Sequence, residues 1–518
     1  MNGALLVSVP VAVPLLAAAV SALFARWLAV QRAFGVAVLG AVLVDAVLLL
    51  LRVDSAGRQA TQAGGWQPPL GITLVVDRFS ALILAVAVVT CLVVMVFAIA
   101  QGSAERRVEN VPAVFHPTYL VLLAGIALVL TSGDLFTLFV GFEVMLMASY
   151  VLITMGATRQ RVRAGLTYVV SSLTASILLL TTIGLVYAVT GTVNLAQLSA
   201  ATAELPDDLR NLLGLMLLVS LGIKAAMVPL HWWLPDSYPT AAAPVTAIFA
   251  ALLTKVAIYA IIRTQTLLFP RREPWILLLV LAASTMLVGV LGALVQDDLN
   301  RILSFTLVSH VGYMLFGLAI FSVAGLTGAV LYLVHHITVQ TALFLISGLI
   351  ERERRTVSLA RLGGLAATAP VVAVLFAVSA FSLGGLPPLA GFVGKLALLQ
   401  AAAARADPVV LATAVVAVLT SLLTLAALMR IWLRVFWGRP TGAGGPPPSG
   451  AGSPAPRGPI TAGLPGWFER AAATAAVLAG LAVTLTAGPL SAFSQRAAAD
   501  LLDREGYRSA VLNQRDAG

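Results

Sequence analysis

Apolar residues run along this chain in long blocks, separated by short stretches where arginine, glycine and proline collect. A helix needs about 20 largely apolar residues to cross a bilayer, and the chain offers about fourteen windows of that kind. They lie near 4–24, 33–52, 79–100, 117–132, 135–155, 165–190 and 211–234. The remainder lie near 243–268, 275–296, 301–322, 325–349, 370–403, 408–436 and 471–494. The first lacks the basic start of a secretory signal and precedes many further spans, so it reads as a helix. The pattern predicts an all-α polytopic membrane protein.

Two windows break the pattern. The seventh contains Lys224-Ala-Ala-Met-Val-Pro-Leu-His-Trp-Trp-Leu-Pro-Asp-Ser-Tyr-Pro239, and the twelfth contains Leu383-Gly-Gly-Leu-Pro-Pro-Leu-Ala-Gly-Phe-Val-Gly-Lys395. Proline lacks an N–H and its ring collides with the carbonyl four residues back. Pro229, Pro387 and Pro388 should therefore deprive the carbonyls of Ala225, Leu383 and Gly384 of helical partners. Freed backbone of this kind is tolerated in a membrane only where it is buried in protein or lines a wet cavity. Paired interruptions in corresponding positions point to an inverted-repeat transporter and its ion path. Ordinary proline kinks are the plainer alternative, but each break has a lysine within two turns.

Composition sharpens the picture. Of the 518 residues, 60% are hydrophobic and 10% charged, against roughly 45–50% and 25% in soluble proteins. That excludes a water-soluble enzyme, a disordered chain and a nucleic-acid-binding domain, although the net charge is +10. Cys91 is the single cysteine, which excludes disulfides and iron–sulfur clusters held by this chain alone. Arginines cluster after odd-numbered spans, from Arg26 and Arg32 through Arg159, Arg161 and Arg163 to Arg352, Arg354 and Arg355. The positive-inside rule then places those loops in the cytoplasm and both termini outside the cell membrane. The Gly/Pro-rich stretch 438–470 reads as a flexible cytoplasmic linker.

The lysines behave differently from the arginines. Lys224, Lys255 and Lys395 are the only lysines, and all lie inside apolar windows. Arginine keeps its charge under nearly all conditions, whereas a desolvated lysine can release its proton. Glu143 lies near the centre of the fifth window, and Lys224 is its expected partner; a lone carboxylate at that depth needs a partner or a proton. Lys255 lies mid-window with no acidic neighbour in sequence. His335 and His336 fall mid-window in the eleventh span and point about 100° apart. One should face the path while the other packs or hydrogen-bonds, and a neutral histidine both donates and accepts, which suits a relay. A haem ligand pair is the competing idea, and a weak one, since His310 is the one candidate for a second histidine at suitable depth on a neighbouring span. His231 and Asp236 lie beside the first break as accessory candidates, with an interfacial role for His231 equally open. His116 and Asp134 sit near span ends and read as solvated caps. No metal-ligand spacing, nucleotide loop or nucleophile elbow accompanies these groups, so no cofactor or metal is expected. Proton hopping is the chemistry that Glu143, Lys224, Lys255, His335, His336 and Lys395 support together.

At these residues the chain resembles a known family. The run from Lys224 to Asp236, with Ala-Pro-Val-Thr-Ala after it, is similar to the signature of the antiporter-like membrane subunits shared by respiratory complex I and Mrp-type multisubunit antiporters. Gly-Asp-Leu-Phe-Thr-Leu-Phe-Val-Gly-Phe-Glu143 and Gly-Leu-Pro-Pro-Leu-Ala-Gly-Phe-Val-Gly-Lys395 match as well. The resemblance covers nearly the whole chain and is strongest to the D-type subunits of the Mrp antiporters. It implies fourteen transmembrane helices, two inverted five-helix repeats and discontinuous helices 7 and 12. The corresponding division is 1–116 for helices 1–3, 117–268 and 275–437 for the repeats, and 471–518 for helix 14 and a short charged tail. It also implies Glu143 paired with Lys224, Lys255 central, a histidine of the eleventh helix relaying, and Lys395 at the far end. The doubled His335-His336 leaves the relaying member open, with His336 favoured. A monovalent cation (Na⁺)/proton antiporter assembled from several subunits is the first expectation. A proton-pumping arm of an NADH-quinone oxidoreductase or membrane-bound hydrogenase is the alternative.

Overall fold

The computed structural model describes residues 3–69, 71–102, 104–105, 114–155, 158–439 and 466–512. Every predicted window holds helix. Among the described residues, 11 helices are long and apolar enough to cross a membrane. They fill all the windows except the fourth, seventh and twelfth. The fourth is the shorter helix Phe115–Thr131, and the other two are the predicted broken spans. The seventh runs Asp207–Ala225, turns through Pro229 and resumes at Leu234–Ser237. The twelfth is split into Pro370–Gly384 and Ala390–Arg405.

The two breaks are built alike. Met227 N–H donates to Gly222 O at 3.0 Å, and Leu386 N–H to Phe381 O at 3.0 Å. Between donor and acceptor lies one left-handed residue, Ala226 (φ 57°) or Gly385 (φ 85°). This six-to-one closure is a Schellman ending, which uses up carbonyls that a terminated helix leaves bare. Other features recur at a matching spacing. Asp134 bridges Asn194 as Asp298 bridges Ser358. A Cβ on Gly125 would meet Met145 N, as one on Gly289 would meet Ser309 N. Both glycines let two neighbouring helices approach to backbone contact.

The core is set by burial. The hydrophobic windows of Ala243–Leu267 and Val323–Arg354 are 100% buried and that of Leu299–Ala319 is 94% buried, against 28% for the outermost spans. The eighth, tenth and eleventh spans therefore form the axis of the bundle. They carry Lys255, His310, His335 and His336.

Several local features differ from the sequence reading. Residues Gln59–Ala63 and Ile72–Val76 form an antiparallel hairpin between the second and third spans. It ends on Asp77, whose carboxylate caps the third span in a capping box with Ser80. The fourteenth window is interrupted too: helix Gly466–Leu485 stops at Thr486 and Ala487–Leu502 follows. Pro489 in the first turn of that second piece cannot donate to a continued ladder. The expected charged tail folds as a further helix, Arg504–Leu512. Most of the predicted linker lies outside the described residues. His116 and Asp134 are caps or ends, as read, but not solvated ones. Asp134 is 5% exposed and accepts from Thr137 N at 2.6 Å, because the neighbouring hairpin covers it: Gly133 N donates to Thr73 O. His116 is fully buried, 2.6 Å from a Glu105 carboxylate that also pairs with Arg32.

Buried cations are not all lysines. Arg263, on the eighth span, lies 2.6 Å from the fully buried Asp77 carboxylate, and its guanidinium sits over the Tyr507 ring of the terminal helix. Removing one partner of a buried pair strands the other charge, at a cost of about 3–5 kcal/mol. Arg263→Ala should therefore lower the thermal unfolding temperature of the purified protein by several degrees, whereas Arg263→Met with Asp77→Asn, which removes both charges and keeps the cap to Ser80 N, should recover much of it. Equal stability of the single variant and wild type would show the pair to be unimportant.

Candidate functional site

Lys224 occupies the last turn of the first half of the seventh span, with Trp233 Nε1 donating to Ile223 O at 3.0 Å across the break. A cation is favoured there by the negative end of the half-helix dipole. The Lys224 ammonium is 3.9 Å from Glu143 Oε1 and 5.1 Å from the Phe142 ring centroid. Ser176 of the sixth span sits between the two: Lys224 Nζ donates to Ser176 Oγ at 2.8 Å, and that hydroxyl donates to Glu143. The pair expected from sequence thus meets through a third residue. Beside it, a cavity lined by Met145, Tyr168, Ser172, Lys224, Tyr238 and Leu253 extends towards the eighth span.

Lys255 is fully buried. Residues Phe249–Leu253 just before it form a π-helical turn. Such turns disturb the regular ladder, often at functional sites, and here Lys255 Nζ donates to Ala250 O at 2.5 Å. Among the described residues no acidic side chain pairs with it.

The histidines gather around Tyr332. The Tyr332 hydroxyl lies 2.5 Å from His310 Nδ1, and the His310 ring stacks on His336 at 5.2 Å between centroids. His335 points the other way, towards the second break: a Cβ on Gly391 would lie 2.9 Å from His335 Nε2. The two histidines thus point apart, and both keep ring nitrogens in the interior. Both nitrogens of His335 and His336, and Nε2 of His310, are buried without a hydrogen-bond partner.

Lys395 closes the series. Its ammonium donates to Leu383 O at 2.9 Å, Gly384 O at 3.1 Å and Ser421 Oγ at 2.8 Å. The first two are the carbonyls that the prolines were expected to release. The Tyr313 ring lies 5.2 Å below the ammonium. Both end lysines thus attach to a helix that stops at a proline break.

The accessory candidates separate from this group. Asp236 is exposed and pairs with Arg301 at 2.9 Å, and His231 is half-buried beside the break; only His310 joins the cluster. Among the described residues, no three His, Cys, Asp or Glu side chains group to hold a metal. Ser176, Tyr332 and Ser421 were missed in the sequence reading. A usable signal existed: Tyr168, Ser172 and Ser176 form a polar stripe at steps of four, as Tyr332, His336 and Gln340 do.

Residues 132–424 match the family described as NADH:quinone oxidoreductase/Mrp antiporter, TM. The chain is 42% identical to the D subunit of the Na(+)/H(+) antiporter of Alkalihalophilus pseudofirmus, over 84% of this chain and 87% of that one. It is 35% identical to the D subunit of the Bacillus subtilis Na(+)/H(+) antiporter, over 83% and 87% respectively. Its fold is similar to a chain of the Mrp complex from Dietzia sp., with TM-score 0.89, 38% identity, and coverage of 98% and 99%. A chain of an archaeal membrane-bound sulfane sulfur reductase shares the fold at TM-score 0.86 and 22% identity, covering 98% and 99%. With these matches over a polytopic bundle, the chain belongs to the NADH:quinone oxidoreductase/Mrp antiporter transmembrane family.

Proposed function

We propose that this chain is the proton-translocating subunit of a multisubunit antiporter that exchanges a monovalent cation, Na⁺ in its named relatives, for protons. The observation that carries this reading is the series of ionisable side chains set along the bundle's core: the buried Lys224, Lys255, His336 with His310, His335 and Lys395, and the partly buried Glu143 beside Lys224. A Glu–Lys pair bridged by a hydroxyl is bistable: adding or removing a charge nearby changes which group holds the proton. A proton released at Lys224 would pass to Lys255, then through the His310–Tyr332–His336 cluster and His335 to Lys395. The hydroxyls of Tyr238 and Thr254 and the histidine nitrogens are buried without protein partners. Buried polar atoms of that kind are ordinarily satisfied by ordered water, which would complete the hops between side chains. Two inverted repeats, 117–268 and 275–437, account for the matching breaks and bridges, because five spans per unit reverse the direction of the second. The arginine-rich loops would then face the cytoplasm and both termini the outside.

The redox-arm alternative shares the helices but differs in driving force. Relatives at 42% and 35% identity carry the antiporter name, which supports the first reading. Purification of the intact complex decides it: small membrane subunits without a flavoprotein or hydrogenase are expected. A bound NADH-oxidising or hydrogenase module would overturn it.

Ser176 offers a sharper check of the path. A hydrogen bond to a charged group contributes about 1.5–3 kcal/mol, so Ser176→Ala should slow Na⁺-dependent proton movement in vesicles roughly tenfold or more. Ser176→Thr should retain most of it. Wild-type rates in the alanine variant would remove Ser176 from the path.

A further inference from the structure

Outside the row, the second span carries a carboxylate that no pairing explains. Asp45 stands in Val42-Leu43-Val44-Asp45-Ala46-Val47-Leu48, within helix Leu28–Ala56. Its depth follows from contacts at the two ends of that helix. Gly35 lies against His116 and Met95 near one end, and Asp54 pairs with Arg78 at 3.0 Å near the other. Asp45 falls midway between them. It is 5% exposed, and its Oδ2 is fully buried with no hydrogen-bond partner. Among the described residues it forms no ion pair.

The neighbouring spans supply no counter-charge. The first span, Gly3–Leu23, has no ionisable side chain. On the third, Arg78 is engaged by Asp54 and Asp500, and Cys91 is the other titratable group. On the fourth, His116 is held by Glu105, and Tyr119 donates to Cys91 O at 2.9 Å. Along its own helix, Arg32 is taken by Glu105 and Arg52 by Gln59. The residues buried on the same helix around it, Val42, Ala46 and Leu49, offer no oxygen ligand from their side chains, and a bound cation requires several. An intramembrane carboxylate without a partner is retained only at a cost that protonation removes.

We propose that Asp45 is a proton-binding site separate from the Glu143–Lys395 row, with its carboxyl protonated at neutral pH. The proposal does not depend on the row conducting protons, because the second span contributes nothing to it.

The test uses the intact complex in native membranes treated with N,N′-dicyclohexylcarbodiimide. The reagent adds to a protonated carboxyl: the acid proton moves to a carbodiimide nitrogen, and the carboxyl oxygen bonds to the central carbon. An oxygen-to-nitrogen acyl shift then leaves a stable N-acylurea, with no group lost. Peptide mass spectrometry should find Asp45 modified at neutral pH, with the rate falling at least about tenfold on strong alkalinisation as the carboxyl ionises. Saturating Na⁺ should not protect it, and Asp45→Asn should assemble normally and lose that adduct. Protection by Na⁺ would overturn the proposal, as would an unmodified Asp45 whose replacement by Asn also leaves the infrared band described below in place. Because reagent access could limit labelling, infrared spectroscopy provides a second reading. Asp45→Asn should remove a protonated-carboxyl carbonyl band from the wild-type spectrum, and its persistence would contradict the site.

Discussion

Membrane vesicles carrying Lys224→Ala should show Na⁺-dependent proton movement reduced by about 100-fold or more, with the complex still assembled. The magnitude follows from the geometry. Lys224 is the only cation paired with Glu143 among the described residues, and the two meet at 3.9 Å with Ser176 between them. Removing one member leaves the other charge without its partner; an interaction made only along the conducting path is lost from its barrier, where each 1.36 kcal/mol is about tenfold in rate. Glu143→Ala should be comparably damaging. Glu143→Gln, which can still accept from Ser176, should also fail, since it keeps the shape and loses the exchangeable charge. The Glu143 side chain is 22% exposed against 4% for Lys224, so this chain encloses the two members of the pair unequally. Unchanged pH gradients in both alanine variants would reject the pathway.

Lys255→Arg should be as disabling, and it separates charge from proton exchange. Lys255 is completely buried at the axis of the bundle, bonded to a carbonyl of the π-helical turn. Arginine keeps a positive charge there but does not release its proton under working conditions. If Lys255 serves as a fixed cation, the variant retains transport; if it must gain and lose a proton, transport falls by about 100-fold or more, the loss expected for an interaction realised only along the conducting path. Lys255→Ala should match it. Full activity of Lys255→Arg would leave a structural scaffold with silent charges as the better description. The driving force at stake is about 2.3 kcal/mol per charge for each 100 mV of membrane potential, so a blocked hop is read directly as a lost gradient.

Much of this was legible in the chain because membrane helices obey a strong constraint. Every lipid-facing backbone group must be paired within its own helix, so apolar length alone located the spans. Proline chemistry then located both breaks, down to the Leu383 and Gly384 carbonyls that Lys395 now occupies. What escaped depended on contacts between distant segments. Ser176 and Tyr332 look like ordinary helix residues until Glu143 and His310 are placed beside them. Arg263 was lost among the arginines of the loops, since nothing in sequence ties it to Asp77. Asp45 was hidden by the length of its apolar window, and His116 was read as solvated because Glu105 and Arg32 arrive from other segments. The interruption near Thr486 had a local signal in Pro489 that apolar length masks, whereas the helix beyond it, Arg504–Leu512, sets Tyr507 against Arg263 of the eighth span, a contact that periodicity does not encode.

The most direct measurement is an electron cryomicroscopy map of the assembled complex, at a resolution that places ordered solvent. The account predicts water within hydrogen-bonding distance of the free nitrogens of His310, His335 and His336 and of the Tyr238 and Thr254 hydroxyls. Together these should link the Glu143–Ser176–Lys224 group to Lys395 without a gap. Dry apolar packing between Lys224 and Lys255, or between Lys255 and His336, would contradict it.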